Sequence, residues 1–460
     1  MLKKFIGSKA FYKSTLAIIL PIIIQNTITT FVNFLDNIMV GQLGTEQMSG
    51  VSIVNQFFFF FNLCIFGCTA GAGIFLAQFF GKKNNLGVKQ CFRIKIISVL
   101  IVNAIVVTLI LIFQDNLINY FLHQGSVEGN LELTFDFAKD YLSIIVYMTP
   151  PFAIMYAYSS TLRETGETVV PMKAGFVAVF VNFILNYILI FGHLGFPTLG
   201  VKGAALATVI SRFVECLTII IFTHVKKYDW IKGVFKSFKI SPKILKPVII
   251  KGMPLLINEA LWALSTTLLL QRYSVRGLDA VAAINISSTL DNLFSIVFMS
   301  IGSSISIVVG QLLGAGKLEE ANDANNKIIA LSVFSTLIMG SLLACLSSVI
   351  PLLYNTYDSV RNIARDNLLV IALFMPIHAL IHASYFTIRT GGKTFITFLF
   401  DSAFGMFISV PFAYVLSKYT TLGVTAMFAL VNSLNIIKVV WGIILLKKGI
   451  WLNVIVKDNN

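Results

Sequence analysis

The sequence predicts an all-α integral membrane protein, with twelve transmembrane helices in two six-helix lobes related as parallel repeats around a central cavity. Three observations carry this. Of 460 residues, 57% are hydrophobic and only 12% charged, and the mean hydropathy is +0.84; a soluble domain has about 25% charged residues. Apolar runs exceed the roughly 18 residues that a spanning helix needs, and no segment alternates polar and apolar residues as a barrel strand would. The chain also repeats itself at a nearly fixed offset.

Taken in order, the runs place helices at about 14–40, 47–80, 92–113, 137–162, 170–192, 202–224, 248–275, 280–313, 326–350, 366–389, 395–417 and 422–446. Lys3, Lys4, Lys9 and Lys13 precede the first run. That run is too long for a signal peptide and lacks a small-residue cleavage site, so the first helix is expected to remain in the mature protein. The one sizeable basic connector is KKYDWIKGVFKSFKISPKILKPVIIK, between spans six and seven. It divides the chain into an N-terminal lobe (1–225), a basic cytoplasmic linker (226–247) and a C-terminal lobe with a short cytoplasmic tail (248–460). The five cysteines, Cys64, Cys68, Cys91, Cys216 and Cys345, lie within or at the ends of apolar runs, and an odd number argues against a disulfide framework.

Alternate loops and termini on one side carry 26 Lys and Arg residues and the other side carries 7, with Arg212 and Lys438 inside spans. The asymmetry places both termini in the cytoplasm of a multi-pass cell-membrane protein. The net charge of +14 then reflects orientation and requires no nucleic-acid partner.

Pro21 and Pro254, Gly44 and Gly277, Gln78 and Gln311, and Gly81 and Gly314 are each separated by 233 residues. Pro150, Arg163, Gly166 and Thr168 match Pro376, Arg389, Gly392 and Thr394 at an offset of 226. Six spans per half is an even number, so the two halves enter the membrane in the same orientation. Parallel repeats enclosing a midplane site are a common transporter architecture.

DNIMVGQLG at the end of the first span, LRETGET and IRTGGKT after the fourth and tenth, Asn182 with Asn186, and GVKGAALATVISR opening the sixth occur in this order. Together they resemble the multidrug and toxic compound extrusion (MATE) transporters over nearly the whole chain. The resemblance implies two six-helix lobes, no ATP and no other cofactor. It also implies export of small organic cations or amphiphilic compounds, driven by inward Na+ or H+, by a monomer surrounded by membrane lipid. GGKT at 391–394 lacks the first glycine of a phosphate loop, Thr387 standing in its place, and neither HExxH nor GxSxG occurs. An enzyme is therefore not expected. The alternative within the same broad superfamily is a flippase for lipid-linked oligosaccharide, which the scarcity of mid-span basic residues disfavours.

An acid within a span costs at least about 2.5–3.5 kcal/mol on insertion scales and marks a functional position. Asp36 follows a charge-free stretch, Leu16–Leu35. By resemblance it is the cation-coupling acid, with Asn182, Asn186 and Thr208 as further oxygen donors. Asn182 and Asn186 share a helix face. These oxygens suit Na+, and no metal beyond it is expected; a desolvated carboxyl suits H+ instead. In the second half, Glu259 and Asp401 read as locally uncompensated cavity acids, and the resemblance transfers a helix-7 acid's role to Glu259. Asp291, His378, Tyr156 and Met155 complete the expected substrate cavity. His378 and His382 lack a third ligand for zinc. Arg212 and Glu215 read as a neutralising pair outside the site.

Overall fold

The computed structural model describes residues 5–122, 130–354 and 356–456. Among the described residues, twelve helices are long and apolar enough to cross a membrane: α1 Lys9–Gly41, α2 Thr45–Gly81, α3 Asn85–Phe121, α4 Leu131–Glu164, α5 Val169–Phe191, α6 Gly200–Val225, α7 Pro242–Ser274, α8 Leu278–Gly314, α9 Leu318–Leu346, α10 Asp358–Thr390, α11 Thr394–Tyr419 and α12 Val424–Lys447. In hydrocarbon every backbone N–H and C=O must find its partner within the segment, which is why apolar runs of this length form helices.

Several helices outrun their apolar runs. Seven residues of α9 that precede the expected start, Glu319–Asn325, are mostly polar, and Glu319 and Glu320 fall in the first turn, where the helix dipole favours negative charge. The α10 helix begins at Asp358, which pairs with Arg361 at 3.0 Å. Lys95, counted with the loop charges at the start of the third span, lies fully buried within α3 and meets Glu164 at 2.5 Å and Ser160 at 2.9 Å. The α4 helix passes through a tighter turn at Val146–Met148, next to Pro150 and Pro151, whose missing N–H groups interrupt the hydrogen-bond ladder. Two π-helical stretches, Leu399–Ala403 and Gly405–Ser409, interrupt α11.

The chain forms two compact units. One comprises Ile24–Gly73 and Asn85–Lys246; the other comprises residues up to Ile23, Ile74–Asn84 and Pro247 onward. The basic segment 226–246 packs with the first unit. The start of α1 and the end of α2 join the second. The physical reason lies in their packing partners, since Ile19 belongs to a core with Ile305, Val309, Leu313, Ile328 and Trp451.

The repeat accounts for the end of α2. A Cβ on Gly81 would lie 1.9 Å from the carbonyl oxygen of Gln311, and a Cβ on Gly314 would lie 1.9 Å from that of Gln78. The two repeat-related pairs pack reciprocally, each glycine letting the other helix's backbone approach. Gln78 is also satisfied locally: its Nε2 donates to the carbonyls of Thr390 and Asn453, both at 3.2 Å, and its Oε1 accepts from Ile455 N at 2.8 Å.

Candidate functional site

In the N-terminal unit, α5 and α6 pack closely because Gly203 carries no side chain; a Cβ there would lie 2.5 Å from Leu189 O. This approach aligns Asn182 and Asn186 with Thr208, and α1 adds Asp36. Asn186 Nδ2 donates to Asp36 Oδ1 at 2.5 Å and to Asn182 Oδ1 at 3.2 Å, while Asn182 Nδ2 donates to Thr208 Oγ1 at 3.4 Å. All four residues predicted for the cation site are thus brought together.

The Asn182 amide group lies 2.8 Å from Asp36 Oδ1 and 3.2 Å from Oδ2, within hydrogen-bond reach of the carboxylate. Among the described residues, Asn186 Oδ1 is buried with no hydrogen-bond partner, so it retains a lone pair for a cation.

Beside this cluster lies a cavity of about 50 Å3, lined by Asp36, Asn182, Thr208, Ser211, Arg212 and Glu215 among others. Arg212 and Glu215 pair at 2.7 Å as expected, but the sequence reading set them outside the site and the structure puts both on its wall. The available signal was Arg212 four residues after Thr208, on the same face of α6. Asp36 and Glu215 against Arg212 leave a formal charge of −1, which suits one monovalent cation.

In the C-terminal unit, a cavity of about 500 Å3 is lined by Asp291, His378, Asp401, Asn432, Asn435 and Lys438, with Trp262, Tyr273, Phe404 and Phe428 among the apolar walls. The expectation that Asp401 is uncompensated fails. Lys438 Nζ, on α12, is 3.2 Å from Asp401 Oδ1, and Asn258 Nδ2 donates to Oδ2 at 3.1 Å. The lysine also lies over the rings of Phe400 and Phe404, 5.4 and 5.8 Å from their centroids. Glu259 is not isolated either, since it accepts from Tyr385 Oη at 3.4 Å, which in turn accepts from Arg389 at 3.4 Å. Glu259 is not among the residues lining this cavity.

Asp291 accepts from Ser295 at 3.2 Å, and His378 Nε2 is 3.2 Å from Asn435 Nδ2. His382 faces the Phe298 ring at 5.2 Å. Tyr156 and the buried Met155 lie in the N-terminal unit, Tyr156 beside Phe152 at 6.1 Å.

Removing one partner of a buried ion pair strands the other charge and costs about 3–5 kcal/mol. Lys438→Met should therefore lower thermal stability strongly, and adding Asp401→Asn should recover most of the loss. A double-mutant cycle of melting temperatures measures this, and purely additive effects would mean that the two side chains are not coupled.

Charged and amide side chains cluster inside two units of an otherwise apolar helical protein, beside cavities, and this defines a polytopic membrane protein with polar sites within its spans. The MatE family model matches residues 21–188 and 254–415, once in each half, and the chain belongs to this family of membrane transporters; it is not an enzyme. It is 26% identical over 413 residues to a Thermotoga maritima protein described as probable multidrug resistance protein NorM, covering 89% of this chain and 87% of that one. It is 25% identical over 422 residues to Bacillus subtilis YoeA, a probable multidrug resistance protein, covering 89% and 88%. Among solved structures, an outward-facing multidrug resistance MATE transporter superposes with a TM-score of 0.85 at 20% identity over 97% of this chain and 98% of that one. A MATE in its straight conformation gives 0.86 at 19% identity over 97% and 99%.

Proposed function

We propose that the protein is a secondary active antiporter that exports cationic or amphiphilic organic compounds in exchange for Na+ or H+ by alternating access. It resides in the cell membrane with both termini in the cytoplasm and works as a monomer. The observation that carries this is the Asp36, Asn182, Asn186 and Thr208 cluster, with its net negative cavity and the unpartnered Asn186 Oδ1. The charge asymmetry of the loops supports the orientation. The multidrug resistance relatives support the substrate class.

Ion exchange centres on Asp36 of α1, which clusters with Asn182 and Asn186 of α5 and Thr208 of α6. A bound cation adds contacts across these three helices that the empty site lacks, which is the differential interaction that a coupled transporter requires. In the C-terminal unit, the aromatic walls accept an amphiphile in a volume typical of drug-sized ligands. Asp401 is already paired with Lys438, so Asp291 is left to receive a positive charge. Among the described residues lining this cavity, Lys438 is the one Lys or Arg, which disfavours the flippase.

Asn186→Ala tests the choice of ion. It should weaken Na+-driven export by about tenfold, roughly 1.4 kcal/mol, through loss of one oxygen ligand. H+-driven export should change much less, because proton carriage needs only the carboxylate. Rates measured in proteoliposomes under each gradient separately decide this, and equal losses would argue against a Na+ site.

A further inference from the structure

The connector after α6 is folded. Trp230 is 2% exposed and Val234 fully buried. Phe92 of α3 packs against Trp230 at 5.3 Å and Phe235 at 6.2 Å. Arg93 donates to the carbonyls of Val234 at 2.8 Å and Lys239 at 3.1 Å, and Gln90 accepts from Ser241 N at 2.9 Å. At its start, Glu167 accepts from Lys226 and Tyr228, both at 2.8 Å. Burial pushes the Glu167 carboxyl up, but these hydrogen bonds outweigh it and hold the group below its ordinary value. A solvated spacer between two lobes needs none of this.

The folded connector shapes a cavity of about 440 Å3 whose lining includes His224, Lys227, Lys232, Phe235 and Lys236. Lys227 adopts φ +50°, the left-handed region that non-glycine residues rarely enter, and Gly233 follows at +71°. Lys232 is paired with Asp229 at 2.7 Å; among the described residues, Lys227 and Lys236 have no ion-pair partner. Immediately beside this basic pocket the surface is apolar: Ile221, Val225 and Phe238 are 57%, 69% and 53% exposed. Exposed apolar residues next to unpaired lysines describe a position at the boundary of hydrocarbon and water.

We infer that this pocket is a binding site for the phosphodiester headgroup of an anionic membrane lipid, whose acyl chains lie along the exposed apolar residues of α6. The phosphate chemistry alone would also admit a soluble phosphate ester. The adjoining apolar surface is what selects the lipid, because a soluble anion gains nothing from it. Basic clusters and pockets beside transmembrane helices recognise anionic lipid headgroups in this way.

The test uses the full chain in nanodiscs of phosphatidylcholine containing a minority of phosphatidylglycerol, with retained lipid counted by native mass spectrometry. Wild type should retain phosphatidylglycerol with a single saturating stoichiometry. K227Q/K232Q/K236Q should lower its apparent affinity at least about tenfold, and the corresponding triple Arg variant should keep it. K239Q/K243Q/K246Q removes the same charge from the connector outside the pocket and should also retain the lipid. Glycerol 3-phosphate should fail to displace it at matched concentration. Equal retention by wild type and the pocket variant overturns the proposal, as does equal loss from both Gln triples, which would mean diffuse charge. Displacement by glycerol 3-phosphate as effective as by the lipid would make it a soluble-anion site. Non-saturating uptake by wild type overturns the site without any variant, so a pocket triple that fails to fold leaves the test decisive.

Discussion

Asp36→Asn is expected to abolish gradient-driven export while leaving a folded protein in the membrane. The amide is nearly isosteric, keeps hydrogen-bonding capacity toward Asn186 and Asn182, and removes a charge whose placement in a span costs at least about 2.5–3.5 kcal/mol. Its melting temperature should equal or exceed that of wild type. What is lost is the anchor for the coupling ion: with Arg212 paired to Glu215 on the wall of the same cavity, the site becomes formally neutral and has no net attraction for a cation. Efflux of a fluorescent organic cation should fall to the leak of protein-free liposomes under either gradient. Wild-type rates from a folded Asp36→Asn protein would remove Asp36 from the coupling mechanism.

The second large effect is structural. Gly81→Val and Gly314→Val each drive a side chain into backbone, since even a Cβ would lie 1.9 Å from a carbonyl oxygen of the opposite helix. A carbonyl in a packed helix cannot swing aside as a flexible side-chain end does. Overpacking costs typically about 1–3 kcal/mol and more where backbone must move, so each variant should lose at least about 3 kcal/mol. The readouts are melting temperature and the fraction of monodisperse protein after detergent extraction. Because the contacts are reciprocal, the double variant should cost less than the sum of the singles: once the helices have separated for one valine, the second finds space. Strict additivity, or normal stability in either single variant, would show that α2 and α8 do not approach in this way.

The same pairs show how much the sequence carries. Gln78, Gly81, Gln311 and Gly314 are recognisable from a constant offset, but the offset gives equivalence and not contact. Asp36, Asn182, Asn186 and Thr208 were legible because an acid in a charge-free run and an i, i+4 amide pair are conspicuous, and the family resemblance adds the threonine. Asp401 and Lys438 were each visible, yet they sit on different helices, and nothing in a single sequence pairs them. The π-helical stretches of α11 add to the difficulty, because each shifts the face of every residue beyond it relative to a regular 3.6-residue period. The polar starts of α9 and α10 escaped for a different reason. Hydropathy reports only the part of a helix in contact with hydrocarbon, and capping and dipole terms extend the helix into water.

Transport itself gives the most direct test of the central claim, that ion binding at the Asp36 cluster drives export. Purified wild-type protein in proteoliposomes, loaded with a fluorescent organic cation, is given an inward Na+ gradient or an inward H+ gradient, one at a time and without membrane potential. The account predicts efflux that accelerates under at least one of the two gradients, stops when that gradient is collapsed with the matching ionophore, and is accompanied by inward movement of the same ion. Efflux at the same rate with both gradients absent, or acceleration with no accompanying ion entry, would contradict it.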